Sequence, residues 1–309
     1  MADRAIVATG GDAKPVVGFI GLGRMGFPMC QRLLAAGYSL VVYNRSMDKA
    51  GALGGDGATV ASSPAELAMR SDIVMACLDT HAASEAVFLD DDGVVANARS
   101  GTLLIDHGTL SPAVVRTLAN GARERKLDFL DAPVSGGPEG ASNGTLAVMV
   151  GGAMAPFERA LPVMRAYGST VQRMGDVGSG THAKLVNQLL TFVHGAVAAE
   201  SIAMAQRAGL DVEALATVLR ASFGHSRMLD RTLARVQAGN YDAGAALAHY
   251  AKDLKSVAQL ADEMSMSLPV NDAARVLLAA AIARNLGHHD LAGMRLLYPD
   301  TDRARASSH

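Results

Sequence analysis

Through about residue 178 the chain alternates between short apolar runs and longer stretches with helical spacing. VVGFI (16–20), SLVVYN (39–44), IVMACL (73–78), GTLLID (101–106), LDFLDAPV (127–134), TLAVMVGG (145–152) and TVQRM (170–174) are short and mostly rich in β-branched residues, as strands require. Helical patterns lie between most of them. One runs from Met25 to Ala36 and stops at Gly37, and another starts at Ser63-Pro64 and reaches about Arg70. Ser111-Pro112 opens a third, 112–126, and Pro156 opens a fourth, 156–167. A serine before a proline suits a helix start: the hydroxyl takes a free N–H, and the first turn does not need the N–H that proline lacks. Such alternation predicts an α/β fold with a mostly parallel, doubly wound sheet and helices on both faces.

Beyond 178 the strand pattern stops. Helical periodicity predicts 181–208, 211–222, 226–238, 246–266, 270–285 and 288–296, punctuated by Gly209, Gly224, Gly239, Pro269 and Gly287. The expected organisation is therefore an α/β domain over 1–178 and an all-helical domain over 179–309.

Composition narrows the function classes. The 309 residues are 50% hydrophobic, and 28 basic against 30 acidic residues leave a net charge of −2. That balance favours neither nucleic acid nor an anionic membrane as partner. Cys30 and Cys77 are the two cysteines, and both lie in apolar periodic segments. They read as core thiols of a reducing compartment, not as a disulfide. No uninterrupted apolar run is long enough to span a bilayer. The opening MADRAIVATGGDAKP has too short an apolar run for a signal peptide, and the tail TDRARASSH is expected to be mobile. GHHD (287–290) reads as a polar turn, and no ligand spacing points to a metal. A cytoplasmic enzyme without nucleic-acid or membrane partners is the expectation.

Gly21-Leu22-Gly23-Arg24-Met25-Gly26 forms a G-x-G-x-x-G directly after a strand and directly before a helix. Gly21 permits the tight turn, Gly23 lets the backbone approach a pyrophosphate, and Gly26 allows close helix–sheet packing. The helix N-terminus offers N–H groups and a positive dipole to the phosphates. The next strand ends VVYNRSMDK, with Asn44, Arg45 and Ser46 where NAD enzymes usually carry a carboxylate for the ribose. A guanidinium and small hydroxyls suit a 2′-phosphate, so NADP(H) is favoured and NAD(H) stays possible. Asp48 is expected to face solvent.

Two further stretches carry candidate chemistry. DAPVSGGPEGASNGT (131–145) follows a strand and has four glycines. Ser135-Gly136-Gly137 can present consecutive N–H groups and a hydroxyl to a carboxylate; the alternative is a flexible connection. GTHAKLVNQLLTF (180–192) puts Lys184, Asn187, Thr191 and His194 on one stripe of an otherwise largely apolar helix. Lys184 reads either as an amine snorkelling from a helix end or as a general acid/base. Asn187, one turn along, is placed to hydrogen-bond the same substrate oxygen. His194 reads as packing or interface, and Lys255 as solvent-facing.

These residues resemble the β-hydroxyacid dehydrogenase family, which includes 3-hydroxyisobutyrate dehydrogenases and tartronate semialdehyde reductases. GFIGLGRMGFPM (18–29), DAPVSGGPEGASNGTL (131–146), GSGTHAKLVNQ (178–188) and KDL (252–254) match in order, and coverage runs from about 16 to 296. The resemblance implies a Rossmann domain followed by an all-helical domain that forms homodimers or homotetramers. It implies hydride transfer between NADP(H) and a short 3-hydroxy acid or its semialdehyde, with Lys184 catalytic and Asn187 beside it on the substrate. Ser135, Gly136 and Gly137 would hold the small carboxylate substrate. Lys252 would approach the nicotinamide end of the cofactor, and Leu78 and Thr109 would be cofactor contacts. Departures from the family pattern are Asp106-His107-Gly108-Thr109 for D-x-S-T, Leu78-Asp79 for Leu-Pro and Asn187-Gln188 for Asn-Asn. His225 and Arg227 are candidate selectivity residues or plain surface loop. The rival readings are an imine reductase of similar fold, which typically has Asp or Tyr at the position of Lys184, and a non-catalytic dinucleotide-binding interaction module.

Overall fold

A computed structural model describes residues 14–242 and 246–299; the readings of the N-terminal segment before residue 14 and of the tail lie outside the described residues. Contacts between residues divide the chain into two compact units. One takes the residues through Gly108 together with Val114–Gly180; the other takes Thr109–Ala113 and the residues from Thr181 onward.

The first unit is built on a sheet whose strands, among the described residues, are β1 Val17–Ile20, β2 Leu40–Tyr43, β3 Thr59–Val60, β4 Ile73–Ala76, β5 Leu103–Asp106, β6 Asp128–Asp131, β7 Val134–Ser135, β8 Leu146–Gly151 and β9 Gly168–Gly175. Their order is β3-β2-β1-β4-β5-β6-β8-β7, with β9 beside β8. The first six in that order run parallel to one another. β8 runs antiparallel to β6 and β7 and parallel to β9. β1, β4 and β5 are buried along their whole length, which is why they read as unbroken apolar runs and not as alternating ones. Phe19, Met29, Leu33, Val42, Ile105, Leu130, Val148 and Tyr167 belong to the core cluster of this sheet and its helices. The strand order reverses between β1 and β4, the position at which open α/β sheets bind ligands beyond their carboxyl ends.

Several boundaries differ from expectation for local reasons. The run 127–134 splits into β6 and β7. The helix expected from Pro156 begins at Met154 and ends at Met164. Proline fits anywhere in a first turn, so it did not mark the start. Gly137–Asn143, in the polar stretch for which no helix was expected, is a helix: Gly136 caps it, Pro138 sits in its first turn, and Gly144 ends it in the left-handed conformation.

The second unit holds helices Ser179–Arg207, Val212–Arg220, Arg227–Gln237, Leu247–Glu263 and Pro269–Ala283, the first of which starts just before the unit boundary. Asp211 and Ser226 cap the second and third of these by accepting from N–H groups two or three residues on. The stretch expected as a helix over 288–296 is a 3-10 helix, Leu291–Leu297, capped by the Asp290 side chain. Asp290 is buried and bound by both terminal nitrogens of Arg231, each at 2.6 Å. Burial pushes its carboxyl pKa up, but Arg231, the Ala292 N–H and Arg235 outweigh that and hold it below the ordinary value.

Ser179–Arg207 is long and apolar enough, by length and composition, to cross a membrane, and half of its most apolar window is buried in the protein. Phe192, Ala196 and Ala199 enter one core cluster with Leu247, Leu254, Leu278 and Met294. Ala198 and Ile202 enter a second, and Leu185 a third. Packing in its unit thus accounts for the buried half of its apolar residues.

Candidate active site

The glycine loop joins β1 to the helix Gly26–Ala35. Gly21 has φ 93°, and a Cβ there would lie 2.4 Å from the Cys77 carbonyl and 2.8 Å from Leu78 Cδ2. A Cβ on Gly26 would lie 2.0 Å from the Gly21 carbonyl oxygen. Neither position can take a side chain. At Gly23 the same test meets nothing within 4 Å. Open space at the middle glycine is what a pyrophosphate needs for close approach to the backbone, so the loop fits a dinucleotide.

Of the expected cofactor contacts, Asn44 has a role inside the loop. Its Oδ1 accepts from the Leu22 N–H at 2.9 Å and its Nδ2 donates to the Ser46 carbonyl at 2.8 Å. It therefore ties the end of β2 to the glycine turn. Arg24, Arg45, Ser46 and Asp48 are exposed, and Met25 is half-buried just ahead of the helix. Leu78 packs against the turn, as the geometry at Gly21 shows.

The loop after β5 is organised by two residues to which the sequence alone assigned no role. The buried Asp106 accepts from the Gly108 N–H at 2.6 Å and from Ser84 Oγ at 3.0 Å. Its neighbour His107 is also buried: Nδ1 lies 2.6 Å from the Ala132 carbonyl and Nε2 lies 3.0 Å from the Tyr167 hydroxyl. A carbonyl only accepts, so Nδ1 carries the proton and Nε2 accepts from the phenol. Burial lowers the His107 pKa to about 4, opposed by the bond to Ala132.

Ser135 is half-buried, and Gly136 and Gly137 are exposed with φ of 135° and 66°. Both glycine angles are ones that side-chain-bearing residues rarely adopt. Just upstream, the buried Asp131 accepts from the Gly178 N–H at 2.7 Å. It anchors the start of the long helix to the end of β6.

In the second unit Lys184 is only 7% exposed, on the largely apolar helix Ser179–Arg207. Asn187, Thr191 and His194 are half-buried on its stripe. Asn187 Nδ2 donates to Gln188 Oε1 at 3.1 Å and to Thr191 Oγ1 at 3.4 Å. Gln188 Nε2 donates to Asp253 Oδ2 at 2.5 Å, and Lys252 Nζ lies 3.3 Å from Asp253 Oδ1 and donates to the Thr109 carbonyl. Lys252 and Thr109, far apart in sequence, are thereby brought together. Gln188 and Asp253 were not among the expected residues. A signal existed for Asp253: with Tyr250, Leu254 and Val257 it keeps helical spacing on the buried face of Leu247–Glu263. Lys255 is exposed, as expected. His225 is exposed and paired with Asp230 at 2.7 Å, and Arg227 is exposed.

A Rossmann-type sheet with an open glycine turn, followed by a helical unit carrying a buried lysine, is the architecture of an NAD(P)-dependent dehydrogenase. Residues 16–175 match the model of the NAD-binding domain of 6-phosphogluconate dehydrogenase, and residues 178–298 match that of the NAD-binding domain of NADP-dependent 3-hydroxyisobutyrate dehydrogenase. The chain belongs to the β-hydroxyacid dehydrogenase family, and is an NAD(P)-dependent hydroxyacid dehydrogenase of the 3-hydroxyisobutyrate dehydrogenase type. It is 34% identical over 292 residues to an NAD-dependent L-serine dehydrogenase of Pseudomonas aeruginosa, covering 92% of this chain and 98% of that one. The solved 3-hydroxyisobutyrate dehydrogenase of Salmonella typhimurium is 32% identical, with a TM-score of 0.83 over 92% of this chain and 99% of its own. An imine reductase from Myxococcus stipitatus, solved with NADP+, is more distant, at 25% identity and a TM-score of 0.60 over 92% of this chain and 99% of its own.

Proposed function

We propose that the protein transfers a hydride between NADP(H) and a short 3-hydroxy acid or its semialdehyde, with Lys184 as general acid/base. The burial of Lys184 on an apolar helix carries this reading. A snorkelling lysine would reach water, whereas one held out of water has its proton affinity open to tuning by its surroundings. When bound, the nicotinamide accepts or supplies the hydride. Lys184 Nζ gives a proton to the carbonyl oxygen in reduction and removes it from the hydroxyl in oxidation. Asn187 takes part in holding that oxygen, and Ser135, Gly136 and Gly137 receive the substrate carboxylate through N–H groups and a hydroxyl. Lys252 and Thr109, joined by a hydrogen bond, act at the nicotinamide end of the cofactor. On this reading residues 1–178 bind the dinucleotide and 179–309 supply substrate and assembly contacts. Turnover of a panel of short-chain 3-hydroxy acids and semialdehydes with both nicotinamides tests the assignment. Activity confined to cyclic imines would instead favour the imine reductase reading, against which the retained Lys184 and Ser135-Gly136-Gly137 weigh.

NADP(H) is preferred over NAD(H) on this proposal because Arg45 and Ser46 stand exposed after β2 and no carboxylate stands at the strand end. Arg45→Ala is expected to raise KM for NADPH by about tenfold or more, the loss of one charge-assisted bond, while KM for NADH changes little. An unchanged NADPH/NADH ratio would reject the preference.

The protein is further proposed to act in the cytoplasm as a homodimer or homotetramer. Val186, Leu190, Val197 and Met204 are 59, 51, 51 and 69% exposed and lie along one stripe of Ser179–Arg207. A contiguous apolar stripe of this kind suits a second copy of the chain. Light scattering on the purified protein is expected to give at least twice the monomer mass, and a monomeric mass would reject the assembly.

A further inference from the structure

The side chains beside Lys184 define which way the Asn187 carboxamide points. Asp253 is an acceptor only, so Gln188 must turn Nε2 toward it, at 2.5 Å. That leaves Gln188 Oε1 facing Asn187, where it accepts from Nδ2 at 3.1 Å. A second constraint agrees. Thr191 Oγ1 donates its proton to the Asn187 backbone carbonyl at 2.7 Å, so toward the Asn187 side chain it acts as an acceptor, and Nδ2 lies 3.4 Å away. Two neighbours thus demand the same orientation of one amide. Thr191 is one turn toward the C-terminus and Lys184 one turn toward the N-terminus of the same helix face. With the nitrogen turned toward Gln188 and Thr191, the carboxamide oxygen is turned away from them.

We infer that Gln188 and Asp253 are positioning residues that hold Asn187 with its carboxamide oxygen presented as an acceptor to the Lys184 ammonium, so that Asn187 holds the substrate oxygen in its hydroxyl state, in which that oxygen has a proton to donate. This rests on the proposed role of Lys184. An acceptor there favours the charged amine and aims its proton. Asp253 also carries the Lys252 contact at 3.3 Å, so one buried carboxylate touches Lys252 directly and Asn187 through Gln188. A shorter asparagine at 188 would lack a methylene of the reach that Gln188 uses to meet Asp253.

The test compares kcat, KM and the pH dependence of kcat for wild type, Gln188→Leu, Gln188→Glu, Asp253→Asn and the double variant Gln188→Glu/Asp253→Asn, with Lys184→Ala alongside. Gln188→Leu is expected to lose about tenfold in kcat, the rate equivalent of one hydrogen bond, with cofactor KM little changed. Its lysine-dependent pH limb is expected to move downward, because the ammonium loses an oriented acceptor. Gln188→Glu alone sets two carboxylates against each other. In the double variant the carboxylate introduced at 188 accepts both from the carboxamide introduced at 253 and from Asn187 Nδ2, and kcat is expected to recover to within about threefold of wild type. The inference is overturned if Gln188→Leu keeps kcat within about twofold, if kcat falls with the pH limb unmoved, or if the double variant is no faster than the slower single. Full turnover in Lys184→Ala would remove the parent reading itself. An inactive Lys184→Ala beside an unaffected Gln188→Leu rejects this inference alone.

Discussion

Lys184→Ala is expected to lower kcat by about 10²- to 10⁴-fold, the range that one positioned proton donor contributes. On the proposed reading Lys184 acts on the substrate oxygen and not on the dinucleotide, so cofactor affinity, read by fluorescence titration, is expected to stay near wild type. Alanine leaves no titratable group, and the pH limb of kcat should vanish with the activity. Lys184 is 7% exposed, so its loss also opens space in the helix packing, and a thermal melt should accompany the kinetics to separate unfolding from lost chemistry. A variant that folds and turns over like wild type would reject the assignment.

The second large effect concerns acid stability. Burial lowers the His107 pKa to about 4, against an ordinary value of 6.5. The unfolded chain therefore takes up a proton near pH 6.5 that the folded chain refuses until about pH 4. The stability from keeping His107 neutral is fully present above the unfolded value. It is lost as pH falls through that window and is gone below the folded value. A shift of this size corresponds to about 3 kcal/mol. Denaturant midpoints measured across the window should fall accordingly. In His107→Gln, where an amide can still donate to the Ala132 carbonyl, the curve should be lower at neutral pH and flatter on the acid side. An equally steep acid limb in that variant would assign the loss to other groups. Glu66 is one such group: hydrogen bonds from the Ser62 N–H and hydroxyl and from Arg70 hold its pKa at about 2, so its own contribution is lost at lower pH than that of His107.

Much of the first unit was legible locally. The all-apolar strands declared a parallel sheet because both of their faces are covered, and the glycine pattern placed Gly21 and Gly26 where a side chain has no room. Helix starts marked by serine and proline at 63–64 and 111–112 were found, because capping is a property of adjacent residues. The helix Gly137–Asn143 was hidden by its own composition, since glycine-rich polar segments look like connections until tertiary packing decides between turn and helix. The polar chain from Asn187 through Gln188 and Asp253 to Lys252 joins positions 65 residues apart, and no local pattern pairs them.

The amino-acid sequence by itself determined an α/β sheet followed by helices, the glycine turn between β1 and the next helix, and the lysine placed on a helical stripe, because periodicity, turn chemistry and short-range spacing are written into neighbouring residues. Only the tertiary structure decided that Lys184 is buried, that Asn44 braces the glycine turn, that His107 is locked between Ala132 and Tyr167, and which way the Asn187 amide faces. Burial and amide orientation are set by partners distant along the chain, and such partners meet only when the core closes around them.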